Sequence, residues 1–173
     1  VRMREDGYIQ DEASEWLSDL VEARAGMRVA DVCAAPGGKA TRLASTGALV
    51  IASDARESRV RTMAENVDAL ESHVLLLVAD ARRLPFSGGG FDRVLVDAPC
   101  SGLGVLRRRP DARWRVQPDD VGRLATLQSE LVDGAAPLVA PGGVLVYAVC
   151  TLTADETLGV DEHLRTAHPD FEP

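Results

Sequence analysis

Residues 28–41 read Arg-Val-Ala-Asp-Val-Cys-Ala-Ala-Pro-Gly-Gly-Lys-Ala-Thr, and the other predicted elements are organised around this segment. Its first half is a short apolar run, typical of a strand that is covered on both faces of a sheet. Pro36 ends the strand, and Gly37 and Gly38 lack a Cβ atom, so the backbone can turn tightly and approach a ligand closely. The helix that follows would offer its first N–H groups to that ligand. The stretch therefore predicts a strand, a nucleotide-binding turn and a helix, although it lacks a Rossmann fingerprint and a P-loop ending.

Strand-like and helix-like segments alternate along the rest of the chain. Apolar runs typical of buried strands occupy residues 48–54, 73–80, 91–97 and 144–149. Apolar residues at helical spacing predict helices over residues 7–25, 37–46, 57–70, 154–166 and from Asp119 or Asp120 to about Leu138. Residues 102–118 are predicted to form a long loop. Such alternation predicts an α/β fold with a doubly wound, mostly parallel sheet and right-handed crossovers.

Length and composition narrow the class of protein. The chain has 173 residues, of which 46% are hydrophobic and 27% charged, so one domain with a real core is expected. It has no signal-peptide pattern and no apolar run long enough for a membrane span, which predicts a cytoplasmic protein without a membrane partner. The histidines fit no metal spacing, so no metal site is expected. Because the chain begins with Val1 rather than Met, we expect a fragment of a longer protein.

Acidic residues follow several of the predicted strands. In a parallel sheet, ligands bind beyond the carboxyl ends of the strands. Asp54 lies about twenty residues past the glycine turn, where an acid either accepts hydrogen bonds from ribose hydroxyls or simply begins the next helix. Asp80 closes the next strand and either faces an adenine edge or caps a helix. Asp97 ends the strand of residues 91–97 and begins the sequence Asp-Ala-Pro-Cys.

Two of the three cysteines are predicted to reach this same edge of the sheet. Cys100 follows Pro99 at one strand end, close to Asp97, and Cys150 repeats this placement about fifty residues later. A buried packing role is the usual one for a single thiol, but packing alone does not account for two strands that each deliver a thiol to one edge. Cys33 lies in the turn itself and is expected to be structural or to line the cofactor site. An odd number of cysteines without a secretory signal makes a disulfide framework unlikely.

A pair of thiols beside an acid suits one kind of chemistry. A thiolate adds to electron-poor carbons, and carbon 6 of cytosine is such a carbon. Addition there makes carbon 5 nucleophilic enough to take a methyl group from a sulfonium donor. The acid would bind or protonate ring nitrogen 3, and a base must then remove the carbon 5 proton. The residues themselves leave open which of the two thiols attacks.

The predicted loop of residues 102–118 is rich in arginine and contains a tryptophan. The protein as a whole is acidic, with a formal net charge of -8, which argues against a general electrostatic binder of nucleic acid. The loop could still grip phosphates and stack on a base, as readers of single-stranded RNA do. The alternative is a solvated loop with no binding role.

Five motifs, taken in order, resemble those of a known family. They occupy residues 7–14, 31–39, 97–102, 109–114 and 147–151. Together they resemble the NOP/Sun (Fmu) family of RNA cytosine-5 methyltransferases, and within it the RsmB-like bacterial ribosomal RNA enzymes. The resemblance implies a single S-adenosylmethionine-dependent methyltransferase domain of class I, Rossmann-like fold over residues 1–173. It also implies rRNA processing, with 5-methylcytosine as the product.

The resemblance assigns roles to individual residues. Cys150 would be the nucleophile that attacks cytosine, and Cys100 would assist release of the methylated base beside Asp97. The residues implied to bind S-adenosylmethionine are Cys33, Ala34, Ala35, Pro36, Gly37, Gly38, Lys39, Asp54, Arg59, Asp80 and Asp97. Those implied to bind RNA are Arg107, Arg108, Arg109, Arg113 and Trp114.

The chain departs from the family pattern in two ways. Ala148 and Val149 stand where the family usually has Ser and Thr before the nucleophile, which removes hydroxyls that would polarise the thiol. The family also has a final β-hairpin and a preceding RNA-binding domain, and we expect both to be missing here. Without the hairpin, residues 144–149 form an apolar edge strand. This predicts self-association, or an edge that is covered by the termini.

Two other functions compete with this interpretation. One is a catalytically weak RNA-binding or assembly module that keeps the methyltransferase fold. The other is a methyltransferase with a different acceptor, such as tRNA. Enzymes that methylate the adenine amino group typically have Asp/Asn-Pro-Pro-Tyr where this chain has Asp-Ala-Pro-Cys at residues 97–100, which counts against an adenine acceptor.

Overall fold

A parallel five-stranded sheet forms the centre of the computed structural model, which describes residues 2–108 and 110–172. Two short antiparallel strands come first in the chain, β1 (Arg2–Met3) and β2 (Ile9–Gln10). The sheet itself consists of β3 (Arg28–Asp31), β4 (Leu49–Asp54), β5 (Val74–Val78), β6 (Phe91–Asp97) and β7 (Val139–Ala148). Its order is β5-β4-β3-β6-β7, and every neighbouring pair is parallel.

Helices cover both faces of the sheet. They are α1 (Glu12–Leu20), α2 (Gly38–Ala44), α3 (Glu57–Ala69), α4 (Ala112–Arg115), α5 (Pro118–Ala135) and α6 (Leu158–Ala167). The core on one face joins the sheet to α2 and α3 through Leu43 and Met63, whereas the core on the other face joins it to α5 through Leu131. Side chains of β6 alternate between the two, since Leu95 belongs to the first core and Val94 to the second. Helix α6 packs on α5.

The strand order reverses direction at β3. The chain runs from β3 outward through β4 to β5, and then returns to the other side of β3 for β6 and β7. Such a switch point opens a crevice at the carboxyl ends of the strands. The predicted α/β fold with a doubly wound parallel sheet is therefore confirmed, and β6 has the predicted bounds.

Several predicted bounds were wrong. The first helix is shorter than predicted because residues 2–10 form the hairpin of β1 and β2. The predicted cap of α5 was also wrong, since Gln117 is the capping residue and Asp120 accepts its backbone N–H at 2.9 Å, in a reciprocal capping box. The last helix begins at Leu158, and β7 begins at Val139 with an irregularity in its pairing to β6. The predicted loop of residues 102–118 includes the short helix α4.

The hairpin of β1 and β2 is fastened to α2. Arg4 is buried, and its guanidinium donates to the carbonyl oxygen of Gly38 at 2.7 Å and to the hydroxyl of Thr41 at 3.2 Å. The same guanidinium lies 5.4 Å from the centre of the Tyr8 ring, within range of a cation–π contact. The hairpin therefore packs against the helix that follows the glycine turn. Among the described helices, none has the length and apolar character that a bilayer crossing requires.

Candidate active site

The turn of residues 33–37 follows β3 and is held by the strands on either side. Val32 donates its backbone N–H to Leu95 of β6 at 3.0 Å, and Ala34 donates to Ser53 of β4 at 2.8 Å. Gly37 has a φ of 101°, a left-handed conformation that favours glycine. These contacts place the turn at the centre of the crevice.

The two glycines make room for side chains of the protein itself. A Cβ atom on Gly37 would lie 2.8 Å from Cγ of Met63, and one on Gly38 would lie 2.5 Å from Cε1 of Tyr8. Packing against Met63 and Tyr8 is thus an additional reason for these glycines, and close approach of a ligand to the backbone stays a prediction. Glycine is required there by packing and, at Gly37, by the backbone conformation.

Asp31, at the carboxyl end of β3, has a buried carboxylate that sequence reasoning did not single out. Asp31 is only 1% exposed, and neither oxygen of its carboxylate has a hydrogen-bond partner among the described residues. Burial, and then the nearby charge of Asp97, raise the pKa of Asp31 to about 7. The signal available in the sequence was an acid directly before the turn. Such a group suits a cationic ligand.

Lys39 and Asp97 connect the glycine turn to the strand that leads to Cys100. The ammonium of Lys39 donates to a carboxylate oxygen of Asp97 at 2.6 Å, and both residues are half-buried. The pair links the first turn of α2 to the end of β6. It therefore joins the Asp97 carboxylate to the helix that follows the glycine turn.

Asp54 and Arg59 lie together on the other side of the turn. Asp54 is buried at the end of β4 and accepts a hydrogen bond from the backbone of Arg56 at 3.0 Å. The guanidinium of Arg59 is 3.1 Å from the other carboxylate oxygen and also donates to the carbonyl of Ala35 at 2.7 Å. Arg59 thus joins Asp54 to the turn, and binding of a cofactor by the two residues stays a prediction.

Asp80 caps a 3₁₀ turn after β5. Its carboxylate accepts a hydrogen bond from the backbone N–H of Arg82 at 3.0 Å, and the Arg82 guanidinium donates hydrogen bonds to both carboxylate oxygens. These hydrogen bonds with Arg82 hold the pKa of Asp80 below its usual range. Of the two roles that the sequence left open, the capping role is the one seen here, and contact with an adenine stays a prediction.

Cys33 is packed within the turn and is poorly suited to react. It is half-buried against the core on the α5 face. Burial, followed by the charges of Asp31 and Asp54, raises its thiol pKa to about 12. A thiol with so high a pKa carries little thiolate near neutral pH. The geometry agrees with a structural or lining role.

Cys100 and Cys150 meet at the carboxyl edge of the sheet. Their sulfur atoms are 3.3 Å apart, and the backbone N–H of Cys150 donates to the sulfur of Cys100 at 3.2 Å. Cys100 is half-buried whereas Cys150 is exposed. The sequence predicted that both thiols reach one edge, and the structure brings them into contact although fifty residues separate them.

The environment of the two thiols is unequal. The hydrogen bond with Cys150, and then burial, raise the pKa of Cys100 well above its usual range. Ionising both thiols at this distance would place two negative charges in contact, so the pair retains one proton when one thiolate forms. The half-buried Cys100 is the better holder of that proton. The exposed Cys150 is then the accessible sulfur.

Buried polar side chains of α5 and β7 support the loop that carries Cys100. Gln128 is fully buried and donates to the carbonyl of Pro99 at 2.9 Å. The hydroxyl of Tyr147 lies 2.7 Å from the carbonyl oxygen of Glu156 and 3.1 Å from the side-chain oxygen of Gln128, and burial raises the pKa of Tyr147, which keeps the hydroxyl proton in place. No individual role was predicted for Gln128, Tyr147 or the buried Glu156, because the burial and contacts of a polar residue leave no mark in the sequence, although Tyr147 belongs to the motif of residues 147–151.

The arginine-rich segment presents side chains around α4. Arg107, Arg113 and Trp114 are exposed, and Trp114 is 79% exposed. Arg108 instead forms an ion pair with Asp11, next to the first hairpin. The predicted contribution of Arg109 lies outside the described residues. The segment thus offers cations and an exposed aromatic ring, as predicted, but one arginine is already paired within the protein.

Metal ligands are not gathered at this site. Within residues 2–108 and 110–172, no three side chains of histidine, cysteine, aspartate or glutamate lie together as a metal site requires. His163 on α6 and His168, which directly follows α6, both contact the same oxygen of Asp133 on α5, at 2.9 and 2.8 Å. They are therefore structural contacts between helices.

Comparison with known proteins points in the same direction as this geometry. A family model described as 16S rRNA methyltransferase RsmB/F matches residues 19–172. The probable ribosomal RNA small subunit methyltransferase B of Bacillus subtilis (strain 168) is 40% identical over 171 residues, which cover 95% of this chain and 38% of that relative. The ribosomal RNA small subunit methyltransferase B of Pseudomonas putida is 44% identical over 155 residues, covering 86% and 36%. The chain thus spans less than half the length of these relatives.

Solved structures agree in fold and in sequence. The crystal structure of NSun6 from Pyrococcus horikoshii with SFG superposes with a TM-score of 0.85 at 34% identity, covering 92% of this chain and 42% of that one. A methyltransferase homolog protein from the same organism superposes with a TM-score of 0.78 at 31% identity, covering 92% and 51%. The resemblance inferred from the motifs is confirmed. The chain belongs to the 16S rRNA methyltransferase RsmB/F family.

Proposed function

We propose that this domain transfers a methyl group from S-adenosylmethionine to carbon 5 of a cytosine in RNA, with ribosomal RNA as the substrate. The observation that carries the proposal is the contact between the sulfurs of Cys100 and Cys150, 3.3 Å apart beyond the carboxyl ends of β6 and β7. Names of the relatives support an RNA methyltransferase, because they are ribosomal RNA small subunit methyltransferases. A ribosomal RNA substrate would place the protein in the cytoplasm.

The residues around the turn fit a cationic methyl donor. Asp31 has a buried carboxylate whose oxygens have no hydrogen-bond partner among the described residues. A bound cation would stabilise the charge of this carboxylate and offset the cost of burying it. The turn of residues 33–39, Asp54 and Arg59 would hold the rest of the molecule, with Asp80 at the outer end. S-adenosylmethionine supplies an electrophilic methyl group on a sulfonium. The Pyrococcus relative solved with SFG, an analogue of this donor, supports the assignment.

The two thiols divide the work of covalent catalysis. Cys150 forms a bond from its thiolate sulfur to carbon 6 of cytosine, while the carboxyl group of Asp97 binds ring nitrogen 3. Carbon 5 then takes the methyl group. Cys100 loses its own proton to solvent once the sulfur of Cys150 is bonded and uncharged, and its thiolate then accepts the carbon 5 proton. The electrons of the bond between carbon 5 and hydrogen restore the ring double bond, and Cys150 leaves as a thiolate with the electrons of the bond between sulfur and carbon 6. The exposure of Cys150 and the raised pKa of Cys100 support this division of roles.

Direct labelling tests the proposed function. The full chain is incubated with S-adenosylmethionine labelled in the methyl group and with total RNA, and the labelled nucleotide is mapped. Label on carbon 5 of a ribosomal RNA cytosine is the expected result. Label on tRNA would indicate the alternative acceptor, and RNA that binds without taking label would indicate a binding module.

Trp114 is proposed to stack on an RNA base. It stands exposed between Arg113 and Arg115 on α4, and stacking of one base on an aromatic ring contributes about 1–3 kcal/mol. Trp114→Ala is therefore expected to weaken RNA binding by roughly 5- to 150-fold in a fluorescence anisotropy titration. Trp16→Ala, which removes a ring that is 64% exposed on α1, is the matched control. Equal affinities for the two variants would argue against the stacking role.

The outer edge of β7 supports the proposal of self-association. Within the described part of the chain, β7 is the last strand of the sheet on that side, and Val144 is 41% exposed. An open apolar edge is a template for pairing. Sedimentation velocity is expected to show association that increases with concentration, with slow amide exchange over residues 144–149. A monodisperse monomer with rapid exchange along these residues would contradict this.

A further inference from the structure

Glu156 is a buried carboxylate that lies between the two cysteine loops. It is 0% exposed, in the turn between Cys150 and α6. One oxygen accepts the backbone N–H of Ser101 at 2.8 Å and the side-chain amide of Gln128 at 3.0 Å. The other accepts the hydroxyls of Ser101 at 2.5 Å and Thr153 at 2.8 Å. Four donors therefore converge on one buried group.

These hydrogen bonds outweigh the cost of burying the charge. Burial by itself raises the pKa of Glu156. The hydrogen bonds from Ser101, Thr153 and Gln128 together lower it by more than burial raises it, so the pKa of Glu156 lies below the usual range. Charge-assisted hydrogen bonds of this kind are stronger than neutral ones. The ionised carboxylate can thus accept from all four donors at once.

The donors flank the two thiols. Ser101 directly follows Cys100, and its hydroxyl also contacts the hydroxyl of Thr151 at 2.8 Å. Thr151 directly follows Cys150, and Thr153 lies two residues further on. Glu156 therefore binds one loop at Ser101 and the other at Thr153, and the contact between Ser101 and Thr151 closes the ring. The side-chain amide of Gln128 on α5 donates to Glu156 and to the carbonyl of Pro99, and so connects both to that helix.

We propose that Glu156 is a positioning residue that holds the sulfurs of Cys100 and Cys150 in contact, acting through Ser101 and Thr153 without touching the substrate. Its importance for methyl transfer rests on the proposed function, since a proton is shared between the thiols only at contact distance. A displacement of about 1 Å is enough to reduce such a step on the order of 100-fold. No other buried carboxylate among the described residues joins the two loops in this way.

Thiol–disulfide exchange measures this positioning without any need for activity. Oxidised glutathione accepts two electrons from the pair, Cys100 and Cys150 each lose a proton as their sulfurs join, and two molecules of reduced glutathione form. The equilibrium gives the effective concentration of one thiol at the other. It is measured on the full chain by alkylation and peptide mass spectrometry, which reports the two cysteines separately from Cys33.

Removal of the Glu156 carboxylate is expected to lower the effective concentration of one thiol at the other. For Glu156→Ala we expect a fall of about tenfold or more relative to the unsubstituted protein, because the loops lose their shared anchor. Glu162→Ala, which removes an exposed carboxylate from α6, is the matched control and should leave the value within about twofold. Circular dichroism establishes that each variant is folded. A folded Glu156→Ala protein with an unchanged value would overturn the proposal.

A second variant covers the case in which Glu156→Ala does not fold. Ser101→Ala keeps the carboxylate and removes one hydroxyl that joins it to both loops, so a smaller fall of about threefold is expected. An unchanged value in Ser101→Ala would then overturn the proposal. In the methylation assay the same variants should lower kcat and leave KM for RNA unchanged. If the unsubstituted protein does not methylate RNA, the proposed function fails, while the exchange equilibria still decide the role of Glu156.

Discussion

Cys100→Ala is expected to leave a covalent complex between the protein and RNA that survives denaturing gel electrophoresis. In this variant Cys150 still attacks carbon 6 of cytosine, but the thiol that takes the carbon 5 proton, 3.3 Å away, is gone. The bond between sulfur and carbon 6 then persists after methyl transfer. We expect turnover to fall by on the order of 10³-fold, with the adduct accumulating in proportion to the enzyme.

Cys150→Ala distinguishes the attacking thiol from its neighbour. It should abolish both methyl transfer and the adduct, and the double variant with Cys100→Ala should form no adduct either, since no nucleophile remains. Cys33→Ala is the control, because its thiol pKa of about 12 and its packed position suit no attack. An adduct that forms in Cys150→Ala and disappears in Cys100→Ala would show that the two roles are reversed.

Asp31→Asn is expected to remove a pH dependence from the stability of the protein. The pKa of Asp31 is raised to about 7 from an ordinary 3.8. Between these values the folded protein keeps the proton that the unfolded chain has released, so the free energy of unfolding falls as the pH rises from about 4 to about 7. The shift corresponds to about 4 kcal/mol of stability lost across this interval. Above pH 7 both states are ionised, and the contribution is constant.

Urea unfolding at a series of pH values measures this difference. The free energy of unfolding of the unsubstituted protein, minus that of Asp31→Asn, should decline across the interval, whatever constant cost the asparagine amide adds. Asp170→Asn removes an exposed carboxylate and is the control. For this variant the difference in the free energy of unfolding should not change with pH over the same interval. If the difference for Asp31→Asn is also independent of pH, the pKa of Asp31 is not raised in solution, and its carboxylate must have a hydrogen-bond or ion-pair partner there.

Much of the fold followed from local patterns. The strand of residues 91–97 was predicted with its observed bounds, because an apolar run between turn residues is a local signal. The cap at Gln117 was missed because the neighbouring aspartates are stronger capping residues, and only the reciprocal contact with Asp120 shows which one begins the helix. The hairpin of β1 and β2 was missed because its strands are two residues each, too short for a period to appear.

Local sequence was enough to predict that strands alternate with helices and that Asp97, Cys100 and Cys150 lie at strand ends, since each of these is a property of a few neighbouring residues. Three features required the folded chain: the contact between the two sulfurs, the burial of Asp31 without a hydrogen-bond partner among the described residues, and the joining of both cysteine loops by Glu156. Burial and distance depend on how segments fifty or more residues apart pack together, and no local pattern records that.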